Sequence, residues 1–251
     1  MVHSAMRILL VSLILSLNSA FAAAAVPALL EEALQKLQAD ENHWAYTQTT
    51  QVYDRKGEVD GGVTVERFDP SLPYDQQWTL LQQDGREPTA REERSWRKRK
   101  DREMKRREEK SLGEIMDLER AREVERYAGQ VVFEVPLQPG ASRRLPAEKF
   151  AVLMAVDEAS ATLSEFMLRT IDSFRALGVA KVDRIEIKAD FATVDPQYVP
   201  QPRRIFASGA GRLLFFRVGG SAEITWTDFK RVKPYEDRFE VQIGELKVFG
   251  F

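Results

Sequence analysis

Apolar and polar residues alternate along most of the chain, and this two-residue period predicts β-strands. The alternation is clearest in residues 182–191, where charged side chains occupy one face and apolar side chains the other. Similar segments, rich in Thr, Val and aromatic residues, recur between short polar loops. The predicted strands lie at residues 43–53, 62–68, 78–82, 124–127, 130–135, 150–156, 161–171, 182–191, 204–216, 222–229 and 239–249.

Two regions depart from the alternation and predict helices. Apolar residues recur with helical spacing from Leu30 to Leu37, which predicts a short amphipathic helix before the first strand. Residues 89–110 begin with a Thr-x-x-Glu capping box and predict a longer, highly charged helix. Because that helix has almost no apolar stripe, we expect it to stand off the body of the protein. Residues 112–118 form a second helical piece with enough apolar side chains to dock.

The order of these elements predicts the fold class. Consecutive strands joined by short loops favour an antiparallel up-and-down meander over βαβ crossovers. A sheet of about ten or eleven strands must curl to cover its apolar face. We therefore predict a mainly β (α+β) fold, an unclosed antiparallel β-barrel with an N-terminal helix and a helical insertion after strand 3. Residues 23–251 would form one domain, and the charged helical insertion would occupy residues 89–118.

The first residues have the pattern of a secretory signal peptide. Arg7 precedes an apolar segment, residues 8–17, which is too short to cross a bilayer as a stable helix. The sequence Ala20-Phe21-Ala22 then supplies the small-x-small pattern of a cleavage site. An N-terminal membrane anchor is the alternative. We expect residues 1–22 to be removed by cleavage near Ala22 and the product to be a soluble periplasmic protein.

The composition favours binding over catalysis. The chain has no Cys, so disulfides, thiol chemistry and acylation after the apolar segment are excluded. His43 is the single histidine of the predicted mature chain, and no G-x-S-x-G motif accompanies it. A zinc site would have only carboxylates as further ligands. A carboxylate acid–base pair stays open, but we predict no enzyme, no cofactor and no metal.

Three segments carry a family resemblance: WAYTQT from Trp44, ERFDP from Glu66 and WTLLQQDGREPT from Trp78. With the strand that follows Val179, they resemble a bacterial branch of outer-membrane lipoprotein-sorting proteins of the LolA/LolB type. The order of elements also resembles lipid-sensing domains of the MucB/RseB type. The resemblance covers most of the mature chain. It implies an open barrel and helices that enclose an apolar cavity for acyl chains, and it assigns no role to any single residue.

The apolar strand positions allow two interpretations. They either fill a core or line a cavity in which flexible Met and large aromatic side chains accommodate a variable acyl chain. The pattern alone leaves both open. The candidate lining residues are Trp44, Tyr46, Trp78, Leu80, Met116, Met154, Met167, Ile185, Ile187, Phe215, Ile224 and Trp226.

The charged helix also allows two interpretations. Residues 91–110 contain eleven Lys or Arg against six Asp or Glu, whereas the whole chain has a net charge of −2. The helix is either solvated and held by its own ion pairs, or it contacts an anionic membrane surface or an inner-membrane partner. Nucleic acid is not expected, because the protein is exported and the remainder is acidic. The candidate contact residues are Arg97, Lys98, Arg99, Lys100, Arg106 and Arg107.

Three functional hypotheses follow. The first is a periplasmic carrier that binds a lipid or the acyl chains of a lipoprotein without covalent chemistry. The second is a protein-interaction or lipid-sensing regulatory module of the same fold that uses its basic helix. The third is an outer-membrane β-barrel, prompted by the terminal Phe249-Gly250-Phe251 but opposed by the charged helix that interrupts the strands.

Overall fold

The computed structural model describes residues 26–40, 42–107, 115–140, 146–176, 180–213 and 216–238. The predicted signal peptide and the predicted last strand, residues 239–249, lie outside the described residues. The helices are α1 (Ala28–Ala39) and α2 (Ala90–Arg107). The strands are β1 (Trp44–Tyr53), β2 (Thr64–Phe68), β3 (Trp78–Gln83), β4 (Arg122–Tyr127), β5 (Gln130–Val135), β6 (Phe150–Asp157), β7 (Thr162–Thr170), β8 (Phe174–Ala176), β9 (Ala180–Ala192), β10 (Gln201–Leu213) and β11 (Phe216–Arg231). Short 3-10 turns lie at Tyr74–Gln76, Leu118–Arg120, Ala147–Lys149 and Glu236–Arg238.

All eleven strands belong to one antiparallel sheet, which is not closed. The order is β3-β2-β1-β11-β10-β9-β7-β6-β5-β4, and the short strand β8 pairs with β9 beside β7. The predicted meander is correct from β1 to β3 and from β4 to β11. An additional feature is the pairing of β1 with β11, which joins these two runs in the middle of the sheet. The predicted fold class is therefore confirmed, with α2 in the connection between the two edge strands.

Strands β10 and β11 form a longer hairpin than the sequence predicts. Their pairing continues without a break from Arg204 opposite Thr225 to Leu213 opposite Phe216. The glycines in these strands allow close backbone contact. A Cβ atom at Gly211 would lie 2.4 Å from the carbonyl oxygen of Lys181 in β9. These glycines therefore belong to the sheet and do not end the strands.

An apolar row crosses the sheet on one face, which we call the inner face. In the antiparallel register, each residue of the row is paired directly with the next on the neighbouring strand, so all lie on the same face. From β5 to β11, the row consists of Phe133, Met154, Phe166, Ala189, Ile205 and Ile224.

Helix α1 covers the inner face at β6 and β7. It buries Leu30 and Ala33 against the apolar residues of β5, β6 and β7. Residues 115–121 pack against the same cluster. The predicted docking of the 112–118 piece is confirmed for its described part, although Met116 forms a β-bridge with Leu137 there. This end of the inner face is a filled core.

The expectation that the charged helix stands off the body is wrong. The predicted capping box is present, since Glu92 Oε2 accepts the Thr89 backbone N–H at 2.7 Å and the Glu92 N–H donates to Thr89 Oγ1 at 3.4 Å. Helix α2 nevertheless docks on the sheet through Trp96, of which 4% is exposed. One buried indole and one buried ion pair replace the apolar stripe that the helix lacks.

A buried carboxylate ties the end of α1 to the sheet. Asp40 accepts hydrogen bonds from Trp44 Nε1 at 2.7 Å and from Gln201 Nε2 at 2.8 Å, and it pairs with Arg231. The Arg231 guanidinium lies 4.1 Å from the ring centroid of Tyr198. The Asp40 cluster therefore connects α1, β1, β10 and β11 where the two runs of strands meet.

We expect Asp40→Asn to lower the free energy of unfolding by about 2 kcal/mol. Removing one partner of a buried ion pair costs about 3–5 kcal/mol, and partial exposure of Arg231 reduces that figure. Urea denaturation monitored by circular dichroism measures the change. The control is Asp60→Asn on the exposed surface, which should leave the midpoint unchanged. Equal midpoints for the two variants would contradict the role assigned to Asp40.

Candidate functional site

The inner face changes from buried to half-buried along the apolar row. At β5 and β6 the side chains of the row are almost fully buried under α1. At β9, β10 and β11 six apolar residues of the same face are half-buried, whereas Ala189 and Trp226 are buried. We call this second set the inner apolar strip, and it consists of Ile185, Ile187, Ile205, Ala207, Ala222 and Ile224.

An aromatic cluster lies on the same face, near the start of β1. Tyr46 pairs with Phe68, and Phe68 pairs with Trp78, so the register aligns the three rings. The centroids of Phe68 and Trp78 are 4.8 Å apart, and those of Tyr46 and Phe68 are 5.1 Å apart. Phe229 contacts Tyr46 and Trp44 edge-on or tilted at about 6 Å between centroids. The cluster gives this end of the inner face a rigid aromatic wall.

A second buried carboxylate holds α2 on the inner face. Glu66 accepts a hydrogen bond from Gln48 Nε2 at 2.9 Å and another from Trp96 Nε1. Lys100 Nζ lies 3.0 Å from Glu66 Oε2 and 3.7 Å from the ring centroid of Trp78. The side chains of this ion pair are 12% and 7% exposed, so solvent screens them little. We call this group the Glu66 cluster. Three donors contact its carboxylate, and this arrangement indicates a structural role.

The structure brings most of the predicted lining residues to the inner face. Ile185, Ile187 and Ile224 belong to the inner apolar strip. Trp44, Tyr46 and Trp78 belong to the aromatic cluster. Leu80 and Trp226 are buried on the same face, opposite Glu66 and Gln48 respectively.

Four predicted lining residues lie elsewhere or outside the described residues. Met116 and Met154 are buried in the filled core under α1. Met167 is on the outer face, paired with Leu153 and Lys188. Its placement with the lining set was wrong, because an uninterrupted apolar run, residues 166–168, does not show which side chain points inward. Phe215 lies outside the described residues.

The predicted contact residues of the charged helix fall into three groups: exposed, docked on the sheet, and outside the described side chains. Arg97, Lys98 and Arg99 are exposed, as a surface contact requires. Lys100 is buried in its pair with Glu66, so it is a docking residue and not a surface contact. The side chains of Arg106 and Arg107 are outside the described part of α2.

Sequence reasoning missed several residues that build the site. Ile205 and Ala207 alternate along β10, and that alternation was a sufficient signal. Phe68 and Phe229 join the aromatic cluster through strand pairing, which no local pattern indicates. Glu66 gave no signal, because its role depends on the docking of a helix that begins 24 positions later.

A separate cleft of about 360 Å³ lies beside the ends of β5 and β6. Its walls include Glu134, Pro136, Pro146 and Phe150, and it contains none of the predicted lining residues. Within the described residues, no group of three or more His, Cys, Asp and Glu side chains is arranged to hold a metal ion. No described helix is both long and apolar enough to cross a bilayer.

Comparison with known proteins gives structural similarity only. No protein-family model matches the chain, and no curated protein sequence matches it. The chain is similar in structure to a candidate outer membrane lipoprotein-sorting protein domain from Vibrio parahaemolyticus, with 11% identity, a TM-score of 0.37 and coverage of 80% of this chain and 91% of that one. It is also similar to a LolA superfamily protein from Nitrosomonas europaea, with 11% identity, a TM-score of 0.37 and coverage of 86% and 98%.

A third similar structure is a DUF1329 family protein from Desulfovibrio piger, with 10% identity, a TM-score of 0.35 and coverage of 82% and 92%. The first two structures belong to the group that the sequence segments resemble. Every TM-score lies below 0.5, and the open antiparallel fold follows from the strand order of this chain.

We expect Glu66→Ala to release α2 from the sheet. Loss of the carboxylate removes the acceptor of the buried Trp96 Nε1 and the Glu66 charge beside Lys100 Nζ, at a cost of about 3 kcal/mol. Hydrogen exchange should then become at least about tenfold faster at the α2 amides, since tenfold corresponds to about 1.4 kcal/mol. The control is Glu165→Ala, which removes a half-exposed pair with Lys188. Unchanged α2 exchange in Glu66→Ala would contradict this role.

We expect the carboxyl group of Glu92 to titrate near pH 2. Hydrogen bonds from the Arg86 guanidinium, and then from the Thr89 backbone N–H and hydroxyl, lower the pKa of Glu92 from 4.5 to about 2. A lowered pKa means that the contribution to folding is complete above pH 4.5 and is lost as the pH falls through about 2. Carboxyl NMR titration measures it, and Arg86→Ala should raise the pKa. An unchanged midpoint in that variant would contradict the assignment.

Proposed function

We propose that this protein binds the acyl chain of a lipid or lipoprotein on the inner apolar strip and carries it without a covalent step. The observation that supports this is the continuity of the apolar row. One end forms a filled core under α1, whereas the strip at β9, β10 and β11 stays half-buried. An elongated apolar ligand fits a strip that continues a core and is bounded at one end by aromatic rings.

The energetics favour a ligand made of methylene groups. Each CH₂ removed from water contributes about 0.8 kcal/mol, so a chain of ordinary fatty-acid length gains enough to offset the loss of its own freedom. The strip contains only aliphatic side chains, and they offer no directional contact. Recognition would therefore depend on length and apolar area, which suits a carrier of varied acyl chains.

The sequence agrees with this function in two respects. The segments that resemble lipoprotein-sorting proteins of the LolA/LolB type imply an acyl ligand, and the predicted signal peptide implies a periplasmic location. The outer-membrane hypothesis is disfavoured, because an open sheet in the hydrocarbon region leaves edge backbone groups unpaired. The regulatory hypothesis shares the acyl site and differs in whether the ligand is delivered or only sensed.

We expect Ile187→Asn together with Ile205→Asn to weaken binding of a fluorescent fatty acid at least tenfold. The two side chains are adjacent in the strip, on β9 and β10, and an unpaired amide in contact with an acyl chain costs more than 1 kcal/mol per group. Fluorescence titration measures the affinity, and native mass spectrometry of protein from the periplasm detects a copurified lipid.

The matched control is Met167→Asn, which introduces the same side chain on the outer face of the same sheet. It should bind the probe as the unmodified protein does, and circular dichroism should show that all variants are folded. Equal loss in the control, or a protein that never takes up an acyl probe, would overturn the proposal.

A further inference from the structure

The docking contacts fix the orientation of α2. Trp96 and Lys100 both point into the inner face, towards Glu66. Because successive helical residues are rotated by about 100°, the side of α2 opposite these two contacts is determined. That side carries basic residues spaced three and four positions apart. We call them the outer basic row: Arg91, Arg94, Lys98 and Arg102, all of them exposed.

Among the acidic residues of α2 whose side chains are described, Glu92 and Glu93 lie away from this row, whereas the exposed Asp101 lies beside it, about 60° from Lys98 around the helix. Glu92 is engaged by Arg86 and by the cap of the helix. Glu93 is about 60° from Trp96 around the helix and so lies nearer the docked side. Asp101 borders the small crevice that Trp78, Trp96 and Lys100 line. The outer side of α2 therefore presents four cations in a line about 17 Å long, with the single carboxylate of Asp101 beside them.

The connection between β2 and β3 reaches α2 at Tyr74 and carries exposed apolar side chains. The connection between β2 and β3 presents Leu72, which is 38% exposed, and Tyr74, which is 49% exposed. Tyr74 borders the same crevice as Arg97 of α2. A basic helical face next to exposed Leu and Tyr has the composition of a membrane-interface contact, where cations approach headgroups and aromatic rings enter the boundary region.

We propose that the outer basic row, with Leu72 and Tyr74, docks the protein on an anionic lipid surface. The row is a line of exposed cations along a single helix, and this arrangement matches a plane of diffuse negative charge. The described docking contacts of α2, made by Trp96 and Lys100, are on the inner face, so a membrane bound by the outer side of the helix faces the same side of the sheet as the inner apolar strip. The docking itself does not depend on the acyl-binding function.

Vesicle cosedimentation tests this proposal with the full chain. The unmodified protein should bind vesicles of phosphatidylglycerol and phosphatidylcholine at low salt, bind less at high salt, and not bind phosphatidylcholine alone. Each basic residue near an anionic surface strengthens binding about fivefold, so R91Q/R94Q/K98Q/R102Q together should weaken it about a hundredfold or more. Replacing Leu72 and Tyr74 by Ser should reduce the binding that persists at intermediate salt.

The matched control removes four exposed positive charges from the sheet in R169Q/R175Q/R184Q/R217Q. Equal loss in this control would show a net-charge effect and overturn the proposal. Row-dependent binding to polyglutamate without binding to anionic vesicles would also overturn it, in favour of an acidic protein partner. Fatty-acid titration of the row variant separates the two proposals, because the row variant should keep the acyl site that the Ile187 and Ile205 variant loses.

Discussion

The pairing of β1 with β11 is the constraint on which the rest of the structure depends. It joins the first three strands to the long meander and so places Tyr46, Phe68 and Trp78 on the same face as the inner apolar strip. Without this pairing, Glu66 would have no fixed relation to the strip, and α2 would dock on an isolated three-stranded sheet. The Asp40 cluster lies at this junction and connects it to the end of α1. The position of α2 relative to the inner apolar strip therefore depends on a pairing between distant parts of the chain.

The same arrangement of side chains occurs twice around buried carboxylates. Asp40 and Glu66 each accept hydrogen bonds from a Trp indole N–H and a Gln amide N–H, and each forms an ion pair with a cation. In both clusters the cation also lies over an aromatic ring, Tyr198 for Arg231 and Trp78 for Lys100. Such a set satisfies the lone pairs of the carboxylate while the rings shield the ion pair from water. Each cluster attaches a helix, or the end of one, to the sheet through a buried polar contact.

The sequence predicts what depends on local periodicity and misses what depends on pairing between distant segments. The alternation along β9 and the cap of α2 are local, and both predictions are correct. The docking of α2 could not be predicted, because one Trp and one Lys form no stripe and Glu66 is remote along the chain. Met167 was assigned to the wrong face because Phe166 and Leu168 flank it. Three consecutive apolar residues do not show which side chains point inward. The pairing of β1 with β11 could not be predicted either, because the two strands are far apart along the chain and no local pattern connects them.

The dimensions of the elements explain why part of the inner face stays accessible. Helix α1 has 12 residues and is about 18 Å long, whereas strands are spaced by about 4.8 Å. A helix of that length laid straight across the strands would cover at most three or four of them. Helix α1 packs mainly on β6 and β7, and the apolar row crosses six strands. The uncovered residues are apolar, as the covered ones are, so hydropathy alone does not separate core from strip. An apolar row longer than its helix leaves a surface that a ligand stabilises by covering it.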